Sequence, residues 1–163
     1  MTLALPTEVA THAVAERMMR LRDEIAESIS LHGLTASGRT ARTLRVTVDG
    51  TEVALWGRAF FPALETGSSR WTGATGVRCS FSAFRTIISD WATAKGLNFG
   101  QHEEHERAVS AIAMSIIRTG TAQKKRPRLD VYTSLVDKAV ADCVEIATNK
   151  ASLEIDNILN QWR

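Results

Sequence analysis

Asp49-Gly50 constrains the fold of this chain more than any other feature, because it stands between two short runs of strand-forming residues. Residues 44–48 alternate apolar and polar side chains, which is the period of a half-buried strand. Residues 51–56 resume with β-branched and aromatic side chains. An Asp-Gly pair in this setting predicts a β-hairpin over 43–56 in which both turn residues have positive φ.

The other periodic segments carry apolar residues every three or four positions, the spacing of amphipathic helices. In the first of them, Arg17 and Glu24 belong to the charged face that is expected to meet solvent, and Gly33 supplies the left-handed residue that ends many helices. Asp130 is expected to cap the last helix. The predicted helices cover 7–32, 81–95, 103–119 and 130–160.

These elements predict an α+β fold with a long N-terminal helix, a small antiparallel sheet, a long polar loop and three C-terminal helices. A length of 163 residues fits a single domain over 1–163. Residues 60–65 are expected to form one helical turn or a tight bend. Trp56 and Trp91 lie on apolar faces and are predicted to belong to the core. No apolar run approaches the roughly 20 residues of a membrane span, and the first residues do not match a secretion signal, so a soluble chain with no membrane partner is expected.

Residues 66–80 form a long stretch without periodicity that is rich in Gly, Ser and Thr. A polar loop of this length inside a domain is usually functional or locally disordered. Within it Arg70 precedes Trp71, whose indole either anchors a partner or folds back over the hairpin. Arg70 and Trp71, together with Trp162 at the end of the sequence, are the candidate contacts with a partner or with neighbours in a ring.

The charges of the chain nearly balance, because 20 Lys and Arg residues face 18 Asp and Glu residues and leave a formal net charge of +2. This balance excludes a protein whose main task is to coat nucleic acid. Locally, Lys124, Lys125, Arg126 and Arg128 form the densest positive run. The run is either a solvated loop or a contact for DNA or an acidic surface. In a contact with DNA, its positive charges would attract phosphates without reading bases.

Motifs that carry chemistry are few. His102 and His105 enclose two glutamates, a spacing that could hold a divalent metal, although it is not the HExxH motif of zinc peptidases. The same acids also suit the first turn of a solvated helix. Cys79 and Cys143 form no CxxC pattern and are expected to be reduced, buried residues. No phosphate-binding loop or nucleophile motif is present, and we expect no cofactor and no catalytic residue.

Several short motifs follow one another along the middle of the chain. They are Ser37-Gly38-Arg39-Thr40-Ala41-Arg42-Thr43-Leu44, Phe60 with Leu64-Glu65-Thr66-Gly67, Ile88-Ser89-Asp90-Trp91 with Lys95-Gly96-Leu97, and Ala111-Ile112-Ala113 with Ile116-Ile117-Arg118-Thr119-Gly120-Thr121. Their order over about residues 33–121 resembles the small neck, head–tail connector and tail-completion proteins of tailed bacteriophages. Members often continue Gly-Arg-Arg-Pro where this chain has Gly67-Ser68-Ser69-Arg70-Trp71.

The resemblance implies a virion structural protein that is not an enzyme and that needs no cofactor. Such a subunit acts in the neck as a connector or stopper, or at the tail as a terminator, and assembles as a homomeric ring between portal and tail. Its implied partners are its own copies and the portal, adaptor and tail proteins, in the virion and, during assembly, in the host cytoplasm. The basic run would then face packaged DNA.

Two hypotheses from other classes stay open. The first is a small nucleic-acid-binding protein that uses the basic run together with Arg39, Arg42 and Arg45. Its test is a salt titration of DNA binding, because phosphate contacts give a steep dependence on salt. The second is a metal-dependent enzyme built on His102 and His105, which metal analysis of the purified protein would test.

Overall fold

The computed structural model describes residues 6–58, 61–67, 80–121, 123 and 126–161. In this part of the chain it contains helices and one two-stranded antiparallel sheet, which confirms the α+β class. The elements are α1 (Pro6–Leu31), α2 (Arg39–Arg42), β1 (Arg45–Asp49), β2 (Glu52–Trp56), α3 (Ala63–Thr66), α4 (Phe81–Ala94), α5 (His102–Thr119) and α6 (Thr133–Gln161). None of the described helices is both long enough and apolar enough to cross a membrane.

The ends of the helices follow local rules with one exception. Pro6 opens α1, where its missing N–H costs nothing, and Gly33 has a φ of 65° just after the helix ends. The Ser80 hydroxyl caps α4 by accepting a hydrogen bond from Ala83 N at 3.2 Å. Helix α6 begins at Thr133, so the expectation that Asp130 caps it is wrong. The chain makes a bend between these two positions before the helix starts.

The described residues fall into two compact units. The first unit takes its residues from Met1–Leu31, Ala41–Gly57 and Val131–Arg163 and therefore holds α1, the hairpin and α6. In it α1 packs against α6 and against both strands. Its buried apolar residues are Ala15, Leu21, Ile25, Ile29, Leu44, Val131 and Ala139.

The second unit takes its residues from His32–Thr40 and Arg58–Asp130 and holds α3, α4 and α5. Helix α4 packs against α5 in this unit. The core between them consists of Phe84, Ile88, Val109 and Ala113, with Ile112 and Ile116 packed at its edge. Helix α3 is a single turn, as expected for the short apolar segment that contains it.

The hairpin forms over the predicted residues but turns one position later than expected. Asp49 pairs with Glu52, so the two turn residues are Gly50 and Thr51. Gly50 has a φ of 56°. Among the described residues only glycines have a positive φ, so Thr51 does not have one. The expectation of positive φ at both turn positions is therefore wrong. A positive φ at the first turn residue alone is the pattern of a type II′ turn, which also suits the twist of the strands.

Two tryptophans that were predicted to lie in the core are exposed. Trp56 is the last residue of β2 and is 52% exposed, because the sheet has only two strands and ends there. Its indole Nε1 donates a hydrogen bond to Thr47 Oγ1 at 2.8 Å across the hairpin. Trp91 on α4 is 40% exposed, since Phe84 and Ile88 fill the space against α5.

Several sequence predictions lie outside the described residues. They concern the polar loop over 66–80, of which positions 68–79 are not described, and the residues Arg70, Trp71, Cys79, Lys124, Lys125 and Trp162. These stay predictions.

Candidate functional site

Glu65, from the Leu-Glu-Thr-Gly motif, is the most deeply buried charged residue among those described. It has no exposed surface, although it lies in the one-turn helix α3, which begins directly after Pro62, and would be expected to face water. Its Oε2 accepts hydrogen bonds from Arg128 Nη2 at 2.6 Å and from Arg128 Nε at 3.1 Å. A carboxylate is buried at tolerable cost only with such a charge-assisted partner.

The main chain at Glu65 is tied to the same region. Its carbonyl oxygen accepts hydrogen bonds from Leu129 N at 3.2 Å and from Gln123 Nε2 at 3.3 Å. The same Gln123 amide also donates to Pro127 O at 2.9 Å. We call this set of contacts, from Glu65 to Gln123, Pro127, Arg128 and Leu129, the Glu65 clamp.

The Glu65 clamp joins two segments that the sequence singles out as contact regions. The segment 68–79 continues the chain directly after Gly67, and the basic run begins directly after Gln123 and ends at the clamp residue Arg128. Glu65 and Arg128 are 63 residues apart in sequence, so local sequence patterns cannot predict that they meet. Described residues that flank both predicted contact regions therefore meet in the second unit.

Of the predicted basic contacts, Arg126 and Arg128 are described. Arg126 is exposed, and its main-chain N donates to Gln123 O at 3.0 Å. The Arg128 side chain pairs with Glu65 while remaining 59% exposed. Arg128 thus has a structural role that sequence reasoning missed, and contact with DNA or an acidic surface stays a prediction for both residues.

Helix α4 carries an exposed apolar strip within the segment of the bacteriophage resemblance. Its members are Ala83, Ile87, Trp91 and Ala94, at steps of four, four and three, and we call them the α4 face. Ile87 is 44% exposed and Trp91 is 40% exposed, and both alanines are exposed as well. A contiguous exposed patch that includes a tryptophan is typical of a surface that meets a partner.

Residues of the His102-Glu-Glu-His105 motif make separate contacts within the second unit. Glu104 Oε2 accepts a hydrogen bond from Gln101 N at 3.1 Å and so satisfies a donor at the start of α5. The carboxylate occupies the space that a side chain at Gly100 would need, and Gly100 has a φ of 95°. Nε2 of His105 lies 3.3 Å from Ser89 Oγ, next to the ring of Phe99.

Among the residues that the structure describes, no three or more His, Cys, Asp or Glu side chains lie together in a way that could hold a metal ion. The described geometry therefore adds no observation in favour of the metal hypothesis.

Arg17 is a second buried charge that the sequence places wrongly, since its helical position predicts a solvated face. It is 5% exposed, and its Nε donates to Asp142 Oδ2 at 2.7 Å, while Glu24 lies 3.4 Å from Nη1. Burial lowers the pKa of Arg17, but the hydrogen bond to Asp142 and the charge of Glu24 outweigh burial, so its pKa lies above the ordinary value. The guanidinium therefore keeps its charge.

A groove of about 440 Å³ opens beside Arg17 in the first unit. It is lined by Arg17, Arg20, Glu24, Lys138, Asp142, Glu145, Ile146 and Asn149. Three basic and three acidic side chains share this lining, so the groove offers no excess charge to attract an ionic ligand.

Cys143 is a free cysteine beside this cluster and is half-buried, in line with the expected reduced state. Burial raises the pKa of its thiol, the charge of Arg17 lowers that pKa, and the charge of Asp142 raises it again, with a net increase. A raised pKa leaves less thiolate near neutral pH, so Cys143 has the chemistry of a packing residue rather than of a nucleophile.

Comparisons of the chain with protein-family models, with curated proteins and with solved structures find no match.

Proposed function

We propose that the protein is a structural subunit of a tailed-bacteriophage virion that assembles as a homomeric ring in the neck or at the completed end of the tail. The proposal starts from the motif order over about residues 33–121. The single observation that carries it is the α4 face, which lies within that segment and presents Ile87 and Trp91 to solvent.

A ring subunit must offer apolar surface that is left uncovered in one copy and is covered by the next copy. Heterologous contacts of this kind generate a ring when the rotation between neighbours closes. An exposed tryptophan with an aliphatic residue one helical turn away supplies large rigid contact area at low entropic cost. The net charge of +2 keeps electrostatic repulsion between many adjacent copies small.

The Glu65 clamp supports this proposal. It anchors both segments that were predicted to contact neighbours or DNA, so their starting points are fixed before assembly. Anchoring reduces the entropy that each segment loses when it meets its partner.

The test is the oligomeric state of the purified protein by native mass spectrometry and negative-stain electron microscopy. We expect rings, and we expect Ile87→Glu to abolish them because a charge on the α4 face would be desolvated in the contact. The matched control is Thr93→Glu, which adds the same charge at an exposed position about 120° around α4 from Ile87. Circular dichroism checks that both variants fold.

The proposal is overturned if the wild-type protein is strictly monomeric and does not associate with portal or tail proteins. It is also overturned if rings form equally well in both variants. A monomer that binds DNA with a steep salt dependence would support the nucleic-acid-binding alternative instead.

A further inference from the structure

Helix α6 has an exposed apolar stripe that no part of the described chain covers. Its members, at steps of four, three, four, four and three, are Val140, Val144, Ala147, Ala151, Ile155 and Ile158, and we call them the α6 stripe. Eighteen residues are five full turns of an α-helix, so the stripe runs straight along the axis for about 27 Å. The four β-branched members are 52–62% exposed, and both alanines are exposed.

The stripe is separate from the side of α6 that packs in the first unit. Ala139 on that side is fully buried, and Asp142 there binds the buried Arg17. Helix α6 therefore has two apolar sides, and α1 packs on the one that holds Ala139. A helix with two apolar sides requires a second partner to bury the other.

The order of residues in the stripe is symmetric about position 149. Val140 and Ile158 lie nine residues on either side of it, and Ala147 and Ala151 lie two residues on either side. Val144 and Ile155 complete the pattern to within one residue. Large β-branched residues thus stand at both ends of the stripe and small residues stand at its centre.

We propose that the α6 stripe is covered by the same stripe of a second copy, with the two α6 helices antiparallel about a two-fold axis near residue 149. In a two-fold contact, residue i meets residue j and residue j meets residue i. Val140 then packs on Ile158 of the other copy at both ends, and Ala147 packs on Ala151 at the centre. The alanines let the helices approach closely where they cross.

Area and charge both suit a second copy. With Leu159 beside it, the stripe exposes about 500 Å² on each copy, so a pair would bury on the order of 1,000 Å², the lower bound of about 1,000 Å² for a biological interface. The stripe itself has no charged residue, and Glu154 lies directly beside it, three positions after Ala151 and four before Ile158. In the antiparallel register Glu154 stands opposite Val144 of the other copy, so like charges do not meet across the two-fold axis.

This inference goes beyond the proposed ring, because ring contacts are heterologous and this contact is isologous. The two can fail separately. Rings in the wild-type protein together with a strictly monomeric Ile87→Glu variant would overturn the α6 contact alone. A wild-type protein that forms antiparallel pairs but no rings would overturn the ring proposal alone.

The first experiment is sedimentation equilibrium of the full chain over a hundredfold range of concentration, in the Ile87→Glu background so that rings do not interfere. We expect a monomer–dimer equilibrium that Val144→Glu weakens at least tenfold. The matched control, Asn160→Glu, adds a charge on the opposite side of α6 and should leave the dissociation constant unchanged. A monomer at all concentrations, or equal dimerisation in both variants, overturns the proposal.

The second experiment tests the antiparallel register with cysteines in a chain carrying Cys79→Ser and Cys143→Ser. Val140→Cys mixed with Ile158→Cys should form a disulfide between the two variants under mild oxidation. Neither variant alone should cross-link. Cross-linking of Val140→Cys with itself would mean a parallel pair, and no cross-link in any mixture would mean another occupant, so either result overturns the proposal.

Discussion

Glu65 and Arg17 are charged residues that the protein buries, and each is paired with a partner far away in sequence. Arg128 is 63 positions from Glu65, and Asp142 is 125 positions from Arg17. A buried ion pair contributes little net stability over apolar residues of the same volume, but removing one partner leaves the other charge uncompensated. At each site, we therefore expect that removing the main partner of the buried charge lowers the free energy of unfolding more than removing a nearby exposed charge does.

We expect Arg128→Ala to lower the free energy of unfolding by about 3 kcal/mol, because it leaves the fully buried Glu65 carboxylate without its guanidinium. Arg126→Ala removes a neighbouring exposed arginine and should change stability by less than about 0.5 kcal/mol. Urea unfolding followed by circular dichroism measures both. Equal stability of the two variants would show that the Glu65 clamp does not stabilise the second unit.

In the first unit we expect Asp142→Ala to cost about 3 kcal/mol, since Arg17 is buried and loses its hydrogen bond of 2.7 Å. Glu24→Ala should cost less than about 1 kcal/mol, because its carboxylate is 3.4 Å from Arg17 and is partly solvated. Thermal unfolding of the two variants provides the comparison. A larger loss in Glu24→Ala would contradict the assignment of Asp142 as the main partner.

At the scale of elements, the hairpin depends on the conformation of a single residue. Gly50 has a φ of 56°, a conformation that costs a residue with a side chain about 1–2 kcal/mol. Gly50→Ala should therefore lower the free energy of unfolding by that amount, whereas Thr51→Ala, at a turn position with negative φ, should be nearly neutral. Chemical denaturation measures the free energy of unfolding of both variants. Equal losses of stability would contradict the assignment of the constrained turn position to Gly50.

The elements themselves follow from local pattern. Apolar spacing predicts the four long helices to within three residues at each end, and the Asp-Gly pair predicts the hairpin. The exceptions have physical causes. The turn shifts by one residue because the strand register pairs Asp49 with Glu52, and α6 begins later because the chain bends after Asp130.

At the scale of the whole molecule, the chain forms two compact units, and the first is built from both ends of the sequence together with the hairpin. The predictions that belong to this scale concern assembly, namely rings through the α4 face and antiparallel pairs through the α6 stripe. Both surfaces consist of apolar residues on regular helices that the packing within their own unit leaves exposed. Sequence periodicity cannot distinguish them from core, because a buried and an uncovered apolar face have the same spacing.

The sequence by itself determines the local structure of this protein: the α+β class, the hairpin, the helices and the near balance of charge. These depend on neighbouring residues, whose spacing and turn chemistry act within a few positions. Only the tertiary structure decides that Glu65 and Arg17 are buried, that Trp91 is exposed and that the described part of the chain leaves one side of α6 uncovered. Each of these depends on which distant segments pack together, and burial is a property of that packing rather than of the residue.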